Sequence, residues 1–137
     1  MKNMGSKKNG SLDTNTLLRL LLGDIPEQTK AVEKLLTTGR KFEVADAALI
    51  EMVFVLEKIY KMDRNLIQEN ILGIVRNSVF ACNKALFENA LPIYVSESSL
   101  SIIDCSLLTY ARLNKALPLY SFDKKLVNKS NNDCVNP

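Results

Sequence analysis

Brief apolar runs, each too short for a helix, recur along this chain with helical patterns between them. Residues 42–45, 79–81 and 117–120 are such runs, and two helical stretches separate each from the next. Strands spaced this way cannot close as tight hairpins. They pair in parallel through helical crossovers, which cover both faces of the sheet. Ser11-Leu12-Asp13 reads as the end of a first strand. The expected fold is therefore α/β, with three layers and a short parallel sheet of about four strands flanked by helices.

The helices follow from apolar spacing and from their end signals. Residues 14–22 are apolar almost all round and stop at Gly23, and Pro26 opens a helix that runs to about 38. Asp46 is placed to cap a helix over 47–60, followed by helices over 64–76 and 84–95, the last with Pro92 near its end. With 137 residues and 47% hydrophobic content, the chain supports one core. The expected organisation is a flexible segment over 1–10, a domain over 11–128 and a frayed polar tail over 129–137.

Composition removes several classes of chemistry. The chain has no His, so imidazole acid–base catalysis, the Ser-His-Asp triad and most zinc sites are excluded. Cys82, Cys105 and Cys134 are odd in number and far apart, which suits a reducing cytoplasm better than a disulfide framework. Cys105 reads as a small buried hydrophobe. The longest apolar run, residues 17–22, is interrupted by Arg19 and too short for a membrane span. No GxGxxG or GxxxxGK[ST] phosphate cradle occurs. The net charge is +3, and gathering several acids into one site would leave the remaining surface tolerant of a polyanion.

Four acids stand out by context: Asp13 after the first strand, Glu51 in an apolar helical stretch, Asp104 near a helix start and Asp123 after the last strand. Glu51 has Ala47, Ala48, Phe54 and Val55 as its helical neighbours, so it calls for a distant partner, such as a shared cation. Three of them also have a plainer reading. Ser101 and Asp104 have the spacing of a capping box, Asp123 is placed to cap a short helix over 124–127, and Glu51 suits a wet stripe. If all four share one crevice, they repel one another, and Asp104→Asn should stabilise the metal-free protein by about 1 kcal/mol.

Four blocks carry a family resemblance. They are Leu12-Asp13-Thr14-Asn15 with the leucines that follow, Ala48-Leu49-Ile50-Glu51-Met52-Val53, Ser101-Ile102-Ile103-Asp104-Cys105, and Tyr120-Ser121-Phe122-Asp123-Lys124. In this order they resemble PIN-domain ribonucleases, most closely the VapC-type toxins of toxin–antitoxin pairs. The resemblance implies a cytoplasmic, metal-dependent endoribonuclease. Asp13, Glu51, Asp104 and Asp123 would hold Mg²⁺ or Mn²⁺ and carry catalysis, with Thr14, Asn15 and Ser121 orienting them. It also implies an RNA substrate, a cognate antitoxin and a homodimer, with no membrane partner. The chain departs from the family before Asp13, where Lys8-Asn9-Gly10-Ser11 stands in place of an apolar strand. The alternative is a catalytically degenerate PIN-like module that binds RNA or a partner peptide. A phosphoacceptor receiver domain is disfavoured, since no acid pair follows the first strand and no Asp follows Val79-Phe80-Ala81.

Overall fold

A computed structural model of the chain describes residues 10–137. Helices dominate it. In order come α1 (Thr14–Leu22), α2 (Pro26–Leu36), β1 (Phe42–Glu43), α3 (Asp46–Lys58), α4 (Arg64–Val75), β2 (Phe80–Ala81), α5 (Lys84–Ser96), α6 (Ile102–Leu113), β3 (Leu119–Tyr120), α7 (Lys124–Lys129) and β4 (Cys134–Val135). The expected flexible segment lies, but for Gly10, outside the described residues.

The strands do not form one four-stranded sheet. Among the described residues they form two separate parallel pairs, β1 with β2 and β3 with β4. The polar residues before Asp13 account for part of this difference. Only Ser11 bridges Glu43, with Leu12 N–H donating to Glu43 O (3.0 Å) and Glu43 N–H to Gly10 O (2.9 Å). The first strand is thus reduced to one contact on the free edge of β1. With strands two residues long, the helices supply most of the core. Leu17, Leu49, Met52, Leu56, Ile67, Ile71, Leu86 and Leu91 are fully buried, and α5 packs most extensively on α6.

Two local expectations need correction. Asp46 is not the cap of α3: Ala45 holds that position without a side-chain bond, and Asp46 is the first helical residue. Its Oδ2 instead accepts from the Tyr110 hydroxyl on α6 and from Asn83 Nδ2 (3.4 Å). The tail over 129–137 is not frayed. Asn131 and Asn132 turn the chain with φ of 57° and 71°, a conformation Asn tolerates better than most residues. Buried Ser130 Oγ then accepts from Cys134 N–H (2.9 Å), and Arg112 grips Asp133 at 2.7 Å. Together these hold β4 against β3.

Candidate active site

The cleft that places acids together opens at the carboxyl ends of the Ser11 segment and β1, where α/β folds commonly bind ligands. It measures about 480 Å³ and is lined by Ser11, Leu12, Asp13, Thr14, Asn15, three alanines of the α3 entry, and Glu51. Asp13 reaches it because the chain turns from extended to helical there, making Asp13 the N-cap of α1. Its Oδ1 accepts from the Thr16 amide (2.8 Å) and the Thr16 hydroxyl (2.7 Å). Glu51 lies a turn and a half into α3. Its Oε1 accepts from the hydroxyl of buried Thr14 at 2.6 Å, with the Ala48 carbonyl a second acceptor at 3.1 Å. Thr14 therefore ties α1 to α3 and fixes one oxygen of Glu51.

Glu51 is exposed rather than buried, and the partner its sequence context called for is this hydroxyl. Its neighbours Ala47 and Phe54 are exposed too, so the apolar stretch around Glu51 lies partly on the wet face of α3. Asn15 lines the same cleft.

Asp104 and Asp123 do not line this cleft. Asp104 Oδ2 accepts from Ser101 N–H (3.0 Å) and Ser101 Oγ from Asp104 N–H (3.1 Å), which completes a capping box. Ser101 and Ile102 border a neighbouring hollow with Phe54, about one turn of α3 beyond Glu51. Asp123 Oδ1 caps α7 through the amides of Lys125 (2.9 Å) and Leu126 (3.3 Å), while Ser121 Oγ accepts from Asp123 N–H (2.9 Å). Among the described residues no three His, Cys, Asp or Glu side chains gather as a metal-binding group.

The four acids nevertheless share one property. Asp13, Glu51, Asp104 and Asp123 each commit one carboxylate oxygen to hydrogen bonding, Glu51 across to α1 and the other three within their own helix start. The other accepts from no other residue among those described. A carboxylate anchored in this way is oriented but still has an oxygen to offer, so capping and liganding do not exclude each other.

Electrostatics favour the charged form at Asp13. Hydrogen bonds from the Thr16 amide and then the Thr16 hydroxyl hold its carboxyl below the usual range. Asp13→Ala should therefore lower stability by about 1 kcal/mol near neutral pH, the usual value of such a cap. Because the folded pKa is depressed, the charged share of that contribution is present above the ordinary carboxylate pKa and is lost as pH falls through the folded value. The protonated carboxyl still accepts the hydrogen bonds, so the gap in melting between wild type and variant should narrow below about pH 4 without closing; a gap that widens at pH 3 would contradict the depressed carboxyl.

Spacing did not point to the Asp46–Tyr110–Asn83 cluster. Asp46 and Asn83 follow β1 and β2, so the position rule that selected Asp13 and Asp123 applied to them as well. Asp46 meets Asn83 across 37 residues and Tyr110 across 64, links that leave no local trace. The bond to Asp46, then burial, push the Tyr110 hydroxyl up to about 12. Burial, then Glu43 and Asp46, push the Cys82 thiol up to about 11, so this cysteine is no nucleophile near neutral pH.

An α/β domain with acids at the carboxyl ends of short parallel strands is the class that this fold and cleft define. The PIN-domain family model matches residues 11–131, and the chain belongs to that family. PIN domains are typically nucleases and generally depend on divalent metal ions. No curated protein matches the chain. No helix among the described residues is long and apolar enough to cross a membrane.

Proposed function

We propose that this chain is a metal-dependent endoribonuclease that hydrolyses RNA phosphodiester bonds and serves as the toxin of a type II toxin–antitoxin pair in the cytoplasm. The observation that carries the nuclease reading is the shared cleft of Asp13 and Glu51, inside a chain that matches the PIN family over 121 residues from 11 to 131. The donor set fits the ion: carboxylate oxygens are hard ligands suited to Mg²⁺ or Mn²⁺. Asp13 and Glu51 would hold it, joined by Asp104 and Asp123 through their uncommitted oxygens. The bound ion would lower the pKa of a water and neutralise charge developing on the phosphate. Thr14 keeps Glu51 oriented, and Ser121 shapes the turn that presents Asp123. Asn15, on the cleft wall with no hydrogen bond from its side chain to the described residues, is free to meet the substrate.

The toxin assignment, the antitoxin partner and the homodimer rest on the resemblance of the four sequence blocks. An antitoxin would complement the acids with an Arg, which binds carboxylates bidentately.

Incubation with a pool of structured RNAs should give cleavage with Mg²⁺ or Mn²⁺ and none in chelator. Equal cleavage in chelator would remove the metal mechanism. The second reading, a degenerate module that binds without cutting, is favoured by one observation: fewer than three acids gather among the described residues. Tight RNA binding with no cleavage at saturating Mn²⁺ would select it.

A further inference from the structure

Phe122 is 82% exposed, the highest value of any large hydrophobic side chain among the described residues, and Tyr120 is 62% exposed. Leaving two rings in water forgoes burial that would otherwise favour the fold. Their backbone is not loose. Leu119 N–H donates to Asp133 O (2.8 Å), Ser121 N–H to Val135 O (3.0 Å), and Asp123 N–H to Ser121 Oγ (2.9 Å). The rings therefore stand two residues apart on a chain fixed on both sides of Phe122, immediately before Asp123. Lys124 and Lys125, two and three residues past Phe122 at the start of α7, are exposed and form no ion pair among the described residues.

We propose that Tyr120 and Phe122 are a stacking platform for unpaired bases of single-stranded RNA, with these lysines meeting its phosphates. The inference rests on the nuclease reading and deepens it: the platform would feed a single strand past Asp123. Rings offer their faces to any base, lysines track the backbone charge, and the combination binds single strands with little sequence preference. A purely apolar partner would leave two unpaired cations at its border. A nucleic acid complements both features at once. A fixed backbone lowers the ordering cost of binding.

The chain contains no Trp, so Phe122→Trp provides a single reporter. In chelator, where cleavage is silent, its fluorescence should be quenched saturably by oligoadenylate and far less by an abasic strand of equal length and charge. Phe122→Ala should weaken oligoadenylate binding about tenfold and leave its salt dependence unchanged. Lys124→Gln with Lys125→Gln should flatten the salt dependence instead. Equal affinity for the abasic strand, or unchanged affinity in Phe122→Ala, would overturn the platform. So would a self-association of the wild type that Phe122→Ala abolishes while oligoadenylate binding persists, because the rings would then belong to a second copy of the chain. Cleavage is scored separately with Mn²⁺. A protein that stacks bases but cuts nothing retains the platform and loses the nuclease reading; one that cuts without stacking does the reverse.

Discussion

Arg64→Leu should lower stability by about 3 kcal/mol. Arg64 is the first residue of α4, yet its side chain serves three other parts of the fold. Nη1 donates to the carbonyls of Tyr94 (2.6 Å), Glu97 (3.3 Å) and Leu100 (2.8 Å), which closes the end of α5 and the loop into α6. Nη2 meets Glu57 of α3 at 3.4 Å, and the guanidinium lies 4.0 Å over the Tyr94 ring. The Tyr94 hydroxyl in turn donates to Glu57 Oε1. Leucine fills the volume but leaves three carbonyls without their donor and removes one of the partners of the Glu57 carboxylate. Lysine restores a charge but neither the fork nor the stacking, so Arg64→Lys should recover only part of the loss.

The loss corresponds to roughly 10 °C in melting temperature for a chain of this length. It should depend on pH through Glu57. Burial raises that carboxyl's pKa, but the Tyr94 hydroxyl and Arg64 outweigh burial and leave it depressed. A depressed carboxylate stabilises above its ordinary pKa and loses that contribution as pH falls through its folded value. The gap between Arg64→Leu and wild type should then narrow below about pH 4. A loss under about 1 kcal/mol at pH 7 would show that water replaces Arg64 at those carbonyls.

Much of this architecture is legible in the residues alone, and the parts that are not share a cause. Helices α1 to α6 lie close to where their spacing and stop signals place them, because 9 to 13 residues give periodicity several turns to register. Strands of two residues give alternation nothing to repeat, and pairing partners such as Phe42 and Phe80 are 38 positions apart. The ordering of the tail is likewise non-local, since Arg112 grips Asp133 across 21 residues. Asp13, Asp104 and Asp123 were selected by their position after strands and at helix starts. That same position makes Asp13 and Asp123 N-caps and Asp104 the return acceptor of a capping box, so one sequence signal carries two meanings that spacing cannot separate.

Substitution by asparagine separates those meanings. Asn keeps an oxygen that can accept the capping hydrogen bond and removes the charge a metal needs. Asp104→Asn and Asp123→Asn should each change stability by no more than a few tenths of a kcal/mol, the charge–dipole share of the cap. Each should lower Mn²⁺-dependent RNA cleavage by more than about 100-fold, since even groups that only orient ligands cost 10- to 100-fold when removed. Mutual repulsion of crowded acids predicts the opposite sign for stability, a gain of about 1 kcal/mol in the metal-free protein. The geometry favours a small loss: no three acids gather among the described residues, and Asp104 accepts from Ser101 N–H at the positive end of α6. Melting curves of wild type and Asp104→Asn, with Mn²⁺ and with chelator, distinguish these outcomes. Mn²⁺ should raise the melting temperature of the wild type, because it binds the native state, and should raise that of the variant much less. A higher melting temperature for the variant in chelator would restore the crowding account. A variant that cuts RNA at the wild-type rate would leave Asp104 a cap and nothing more.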